Sequence, residues 1–200
     1  MRVRVFIDYW NLQLAWNERA NGAPLDWPKV PLVFCHEVSQ VLQKAMLGSA
    51  RLEETRVYGG YEAGREAKLK RWFDNYLDRQ PGFRVFTSER HWKARPVHCR
   101  ACNSQLKQCP NCNENLGRAA EKTVDARIVS DLISLAWEQA YDAAILVTSD
   151  KDFIPAVECV QRKNFKVINA TWRGLGHELA RVCWTSFEID PLIERLKRTG

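Results

Sequence analysis

Four aspartates occupy positions where a folded chain could bring their carboxylates together: Asp8, Asp125, Asp150 and Asp152. Carboxylates that converge without a cation repel one another and raise one another's pKa values. A hard divalent cation removes that repulsion, and Mg²⁺ and Mn²⁺ prefer carboxylate oxygens and water as ligands. A cation held in this way can polarise a phosphate and supply a bound hydroxide. The four aspartates therefore predict a metal-dependent site for phosphoester chemistry.

Two predicted strands end at these aspartates. The uninterrupted apolar run 143–147 is typical of a strand covered on both faces, and Asp150 and Asp152 follow it. Alone, that pair also fits a turn and a helix cap, with Asp152 as a natural N-cap. Residues 2–8 predict a second strand, which stops at Asp8. Open α/β sheets place their chemistry at the carboxyl ends of strands, and this second strand end favours a site.

A long predicted helix, 121–141, supplies Asp125 one turn before Val129 of its apolar stripe. Helical geometry places Asp131 about 120° away from Asp125. We therefore treat Asp131 as a weaker candidate, expected to pair with Arg127. Asn11 and Ser149 carry no charge, but either could orient a ligand or a water molecule.

Strands alternate with helices along the rest of the chain. Further strands are expected at 52–61, 83–87 and 165–170, and further helices at 30–47, 65–77 and 175–183. This alternation predicts an α/β fold with a parallel sheet flanked by helices. We expect one domain over residues 1–200, interrupted by an insertion at 88–118 where the apolar periodicity disappears.

The insertion contains two CxxC pairs, formed by Cys99, Cys102, Cys109 and Cys112. Four thiolates in this arrangement suit a structural Zn²⁺, around which a segment with few apolar residues could fold. His98 is a possible substitute ligand. The other three cysteines are expected to be buried free thiols: Cys35, Cys159 and Cys183.

The chain carries a formal net charge of +6 and has a pI of about 9.0, which suggests a polyanionic partner. Candidate RNA-contacting residues are concentrated in the insertion: Arg90, Trp92, Lys93, Arg95 and Arg100. The Trp92 ring could stack on unpaired bases. A purely structural insertion or a protein-docking module is the alternative.

No apolar run is long enough to cross a bilayer, and the apolar part of the N-terminus is too short for a secretory signal. We therefore expect a cytoplasmic protein without a membrane partner. A protein partner or a homo-oligomer is compatible with the sequence.

Three motifs in order resemble those of NYN domains, a PIN-like nuclease group that includes LabA-like proteins. Residues 6–12, Phe-Ile-Asp-Tyr-Trp-Asn-Leu, resemble the family's opening (F/I)-D-x-x-N-(L/I). Residues 122–125, Lys-Thr-Val-Asp, resemble its K-G-V-D, with Thr123 in place of glycine. Residues 148–155, Thr-Ser-Asp-Lys-Asp-Phe-Ile-Pro, resemble its S-G-D-x-D-F-x-P without the glycine.

The resemblance implies a PIN-like, Rossmannoid fold and a Mg²⁺- or Mn²⁺-dependent ribonuclease acting on RNA that is single-stranded or has unpaired bases. It implies metal-binding roles for the four aspartates, a supporting role for Asn11 and a substrate contact for Lys122. A catalytically silent RNA-binding or scaffold protein is the main alternative. A phosphatase or a DNA-directed nuclease of related architecture is a third.

Overall fold

The computed structural model describes residues 1–120 and 123–198. Its strands are β1 Arg2–Asp8, β2 Arg51–Glu62, β3 Phe83–Ala94, β4 Val97–His98, β5 Gln105–Leu106, β6 Gly117–Ala120, β7 Ala143–Val147, β8 Lys166–Thr171 and β9 Thr185–Glu188. Its α-helices are α1 Tyr9–Arg19, α2 Lys29–Lys44, α3 Ala67–Trp72, α4 Val124–Trp137, α5 Ile154–Gln161, α6 His177–Val182 and α7 Ile193–Leu196. A π-helical turn, Phe73–Leu77, continues α3, and 3₁₀ turns at Lys151–Phe153 and Asp190–Leu192 precede α5 and α7.

Six parallel strands form the body of one sheet in the order β3-β2-β1-β7-β8-β9, and β6 joins the β3 edge antiparallel. The predicted α/β fold with a flanked parallel sheet is confirmed. From β1 the chain builds outward to β3 on one side, and from β7 it builds outward to β9 on the other. The carboxyl ends of β1 and β7 therefore lie at the point where the strand order reverses, which is the usual position of a crevice in such sheets.

Alternating side chains of each strand enter two apolar layers. Val5, Ile7 and Ile145 pack with α1 and α2 on one face, whereas Phe6 and Leu146 pack with α4 and α5 on the other. All five residues of β7 are buried, as expected for a strand covered on both faces. The helices packed on both faces of the sheet hold in place the strand ends that carry the candidate site.

β3 is longer than the predicted strand 83–87. It pairs with β2 as far as the partners Arg90 and Glu62, and from His91 onward it pairs with β6 instead. Beyond Arg90, β3 extends away from the domain core and forms a two-stranded ribbon with β6. Its residues are no longer buried there, so the apolar pattern stops although the strand continues. We call residues 88–117 the arm; no residue of the arm is buried.

Smaller differences concern helix ends and cysteines. The predicted helix 65–77 is divided between α3 and its π-helical turn, and α4 is shorter than the predicted 121–141. Cys35 and Cys183 are buried as expected, whereas Cys159 is only partly buried. Among the described residues, no helix combines the length and apolar character needed to cross a membrane.

Candidate active site

Asp8 is the last residue of β1 and caps α1. One oxygen of its carboxylate accepts a hydrogen bond from the backbone N–H of Asn11 at 3.2 Å, and the other accepts one from the Thr148 hydroxyl at 3.4 Å. The pKa of Asp8 is raised to about 6, mainly by burial and also by the nearby charges of Asp125 and Asp150, against the lowering effect of those two hydrogen bonds. Asp8 is therefore held in one position by local contacts that leave its charge uncompensated.

The turn after β7 is fixed by hydrogen bonds to two other elements, α1 and β8. The Oδ1 atom of Asn11 accepts from the backbone N–H of Ser149 at 2.9 Å, and the Ser149 hydroxyl lies 3.0 Å from that of Thr171. The buried amide of Asn169 donates to the carbonyls of Leu146 and Thr148. These contacts hold the ends of β1, β7 and β8 at one edge of the cleft.

Asp150 caps the turn that follows β7. Its Oδ1 atom accepts a hydrogen bond from the backbone N–H of Asp152 at 2.9 Å, and its own N–H donates to the Thr148 hydroxyl at 3.2 Å. The prediction that Asp152 caps the helix is wrong. A 3₁₀ turn precedes α5, so Phe153 occupies the cap position of α5 while the Asp152 carboxylate is exposed.

Asp125 lies in the first turn of α4 and faces the other aspartates. Its pKa is raised by burial and then by the charges of Asp150 and Asp152. Asp8 in turn is influenced by Asp125 and Asp150. The ion pairs within residues 1–120 and 123–198 include none of these four side chains. The structure therefore brings all four carboxylates near one cleft without a visible counter-charge.

The donor set of this cleft fits Mg²⁺ or Mn²⁺, because it consists of carboxylate and hydroxyl oxygens and because neighbouring carboxylates raise the pKa values of Asp8 and Asp125. In the described part of the chain, no three His, Cys, Asp or Glu side chains approach closely enough to hold one ion directly. Mg²⁺ commonly keeps several waters when it binds to one or two carboxylates, so this spacing suits a partly hydrated ion.

Asp131 has a different role from the predicted one. Its Oδ2 atom accepts hydrogen bonds from Arg56 and from the Tyr58 hydroxyl, both at 2.8 Å, so the predicted pair with Arg127 is wrong. Arg127 instead lies over the Phe86 ring, 4.4 Å from its centroid. Asp131 is therefore a paired structural carboxylate outside the set of four aspartates.

The arm contains two matched turns offset by ten residues. Cys99 accepts from the N–H of Asn103 and donates to Ser104, while Cys109 accepts from Asn113 and donates to Glu114, through backbone groups in each case. Asn103 and Asn113 both adopt positive φ angles, 56° and 55°. The residues that flank each turn also pair antiparallel, His98 with Gln105 and Gln108 with Asn115. The two CxxC segments thus have the same backbone geometry.

Within each turn, the thiols contact one another. Hydrogen bonds from the side chain and backbone of Ser104, together with Cys99, lower the pKa of Cys102 to about 7. Hydrogen bonds from the backbone of Asn111 and Cys112 and from the Cys112 thiol lower the pKa of Cys109. The described residues contain no group of three thiols close enough to hold an ion, so the zinc site stays a prediction.

The predicted RNA-contacting residues divide into two groups. Trp92, Lys93, Arg95 and Arg100 are exposed on the arm. Arg90 is partly buried at its root, where its guanidinium donates to Glu66 at 2.5 Å and lies 4.7 Å from the centroid of Trp10. Trp10 itself donates to the carbonyl of Gly60. Arg90 therefore anchors the arm. The remaining predicted RNA contact, Lys122, lies outside the described residues.

Sequence reasoning gave Thr148 no role beyond its place in a motif. Its buried hydroxyl donates to the Asp8 carboxylate and accepts from the backbone N–H of Asp150, so one side chain links the two strand ends that carry these aspartates. The available signal was a hydroxyl residue between an apolar strand and two aspartates. The contact between Arg90 and Trp10 had no comparable signal, because it joins positions 80 residues apart.

Comparisons with known proteins agree with this geometry. The NYN domain model matches residues 2–190. A protein of unknown function from Vibrio parahaemolyticus superposes with a TM-score of 0.57 at 18% identity, over 94% of this chain and 93% of that one, and this likeness concerns the fold alone. A search among curated proteins finds no match. Since the family model spans nearly the whole chain, this chain belongs to the NYN domain family, with its nuclease-like α/β fold.

Proposed function

We propose that this protein is a Mg²⁺- or Mn²⁺-dependent ribonuclease that hydrolyses phosphodiester bonds of RNA. The observation that carries the proposal is the convergence of the four aspartates, in which Asp8 and Asp125 have raised pKa values partly because of the others' charges. Retaining four ionised carboxylates in one cleft costs free energy unless a cation or a ligand compensates them. Family membership supports the same kind of reaction.

Asp8, Asp125, Asp150 and Asp152 would hold the cation, directly or through water. The cation, when bound, would supply Lewis-acid polarisation of the phosphate and a more acidic water. The chain's own groups do the positioning. Asn11 and Thr148 orient the two strand ends through their contacts with Ser149 and Asp8.

A structural Zn²⁺ in the arm is a second part of the proposal. The matched backbone geometry of the two CxxC turns supports it, because two equivalent turns present their thiols in the same way. With no buried side chain in the arm, a metal is the available means of fixing its tip.

RNA would bind through the arm and the cleft together. Residues 84–118 contain seven basic and two acidic side chains, a formal charge of +5 within the chain's total of +6. Three of these basic residues, Arg84, Arg90 and Lys93, lie on β3, which continues from the sheet into the arm. Basic side chains beside the exposed ring of Trp92 are typical of surfaces that bind single-stranded nucleic acid.

A catalytically silent RNA-binding protein is the second candidate. The exposed basic side chains of the arm favour it, because they could bind RNA whether or not the aspartates support cleavage. The two candidates differ in metal-dependent turnover.

Purified, zinc-loaded protein should be incubated with end-labelled single-stranded RNA, with the same sequence as DNA, and with p-nitrophenyl phosphate. Each substrate is tested with Mg²⁺, with Mn²⁺, and in metal-depleted buffer. Depletion is preferable to EDTA, because a chelator would also remove Zn²⁺ from the arm. We expect metal-dependent cleavage of RNA alone. RNA binding without cleavage would establish the silent protein instead, and DNA or phosphatase activity would change the substrate class.

A further inference from the structure

A small cavity lies between the middle of β2 and β3 and the first turn of α4, which carries Asp125. Its volume is about 170 Å³, and its lining residues are Tyr58, Phe86, Thr87, Ser88, Thr123, Val124 and Arg127. Tyr58 is the register partner of Asp8 on the neighbouring strand, and Thr123 is two residues from Asp125. The cavity therefore opens next to the cleft on the side of the arm.

We propose that this cavity binds one nucleobase of the RNA strand whose neighbouring phosphate lies at the aspartates. The inference rests on the proposed ribonuclease function and adds to it a site that determines base preference. The lining side chains favour a base through an aromatic floor, a planar cation and a hydroxyl rim.

The floor of the cavity is rigid and aromatic. The rings of Tyr58 and Phe86 stack with centroids 5.2 Å apart and an interplanar angle of 16°. Tyr58 is fully buried, and its hydroxyl is fixed by Asp131 at 2.8 Å, so this ring cannot rotate away. Because Tyr58 is fully buried, it supports the partly buried ring of Phe86, and a base would stack on Phe86 or on the guanidinium of Arg127 over it.

Arg127 supplies a planar cation at the same place. Its guanidinium carbon lies 4.4 Å from the centroid of Phe86, while the residue as a whole is exposed. Guanidinium planes stack on bases and donate to their acceptor edges. The contact with Phe86 holds this plane in position before RNA arrives, which reduces the ordering cost of binding.

A rim of hydroxyl groups can distinguish one base from another. The hydroxyls of Ser88 and Thr123, both in the lining of the cavity, lie 2.5 Å apart. Each hydroxyl can donate or accept a hydrogen bond, so the pair offers a donor and an acceptor to a base edge. A phosphate is disfavoured here because Asp125 carries a negative charge near the rim, and because the floor is apolar.

The test measures binding rather than cleavage, so that the two proposals can fail separately. Asp150→Asn protein, which is expected not to cut, is titrated with short labelled RNA homo-oligomers of A, C, G and U. The variants Ser88→Ala/Thr123→Val and Arg127→Gln are compared in the same background. Arg162→Gln is the charge-matched control, since Arg162 is exposed at the end of α5, outside the cavity lining.

We expect the parent to prefer one or two of the oligomers. The double hydroxyl variant should reduce that preference by roughly two- to tenfold, the effect of one or two hydrogen bonds. Arg127→Gln should weaken the preferred oligomer more than the others, and Arg162→Gln should change neither. Equal binding of all four oligomers by the parent would overturn the proposal. Equal weakening of all four by Arg127→Gln would also overturn it and would identify a phosphate contact.

Discussion

The side-chain oxygen of Asn11 accepts a hydrogen bond from the backbone N–H of Ser149 at 2.9 Å, across 138 positions of sequence. This contact joins the first turn of α1, directly after β1, to the turn after β7. Because Asp8 lies three residues before Asn11 and Asp150 directly follows Ser149, the bond fixes the relative position of two candidate metal ligands. Asn11 is thus a positioning residue.

Asn11→Ala should therefore reduce cleavage by the protein that remains folded, as well as its stability. Losing the acceptor leaves the Ser149 N–H unpaired, at a cost of about 1–3 kcal/mol in the free energy of unfolding. Cleavage should fall roughly ten- to a hundredfold because the aspartates lose their mutual alignment. Urea unfolding and initial cleavage rates measure the two effects. Asn17→Ala, on the same helix but exposed, is the control; an equal rate for both variants would contradict the positioning role.

The raised pKa of Asp8, about 6, predicts how the stability of the protein without added Mg²⁺ or Mn²⁺ depends on pH. A carboxyl whose pKa is raised by folding stabilises the folded state below its unfolded value, near 4, and this contribution is lost as the pH rises through 6. At neutral pH the loss amounts to at most about 3 kcal/mol. Stability should therefore fall between about pH 4 and pH 7.

Asp8→Asn tests this dependence, because asparagine retains a capping oxygen but does not titrate. The variant should show a flatter profile than the parent in urea unfolding across the same pH range, and it should be the more stable protein at pH 7. Adding Mn²⁺ should recover stability in the parent and not in the variant. Parallel profiles of stability against pH for the two proteins would show that ionisation of Asp8 does not cause the loss of stability.

The strand ends could be predicted from sequence because local pattern determines them. The apolar run of β7 matched its predicted bounds, and Asp8 ended β1 as expected. The same reasoning placed Asp125 at the start of α4, where the structure has it. The placement of all four aspartates near one cleft follows from the sheet order, while their metal-binding role stays a prediction.

Contacts between distant segments could not be predicted in the same way. Asp131 meets Arg56 and Tyr58, which are 75 and 73 positions away, and no local spacing indicates that pairing. The predicted end of β3 was wrong because apolar periodicity indicates burial, and no residue of the arm is buried. The cap was assigned to Asp152 rather than Asp150 because the intervening 3₁₀ turn is too short to show a periodicity.

The zinc prediction is tested by metal content. Wild-type protein should contain about one Zn²⁺ per chain, and Cys99→Ser or Cys109→Ser should each abolish it, since a structural site needs both turns. Cys159→Ser, a partly buried cysteine of the core, is the control and should retain the metal. Thermal unfolding of the domain should change little in the arm variants, because no arm residue is buried. Full zinc content in Cys99→Ser would contradict the four-thiolate site.

The arm's basic residues should differ in how they affect the salt dependence of RNA binding. Replacing exposed Lys93 or Arg95 with glutamine should lower the slope of log K against log salt by about 0.7 for each lost phosphate contact. Arg90→Gln should weaken binding with little change in slope, because Arg90 is engaged by Glu66 and Trp10. Fluorescence anisotropy at several salt concentrations gives these slopes. An equal loss of slope in Arg90→Gln would mean that it contacts phosphate.

The most direct test of the ribonuclease proposal is cleavage of end-labelled single-stranded RNA by Asp150→Asn beside Asp74→Asn. Asp74 is an exposed aspartate paired with Lys70 on the turn after α3, so its replacement controls for the loss of one surface carboxylate. We predict Mn²⁺- or Mg²⁺-dependent cleavage by the wild type and by Asp74→Asn. Cleavage by Asp150→Asn should fall by at least about a hundredfold while its unfolding midpoint is retained. Wild-type cleavage rates in folded Asp150→Asn would contradict the assignment of the site.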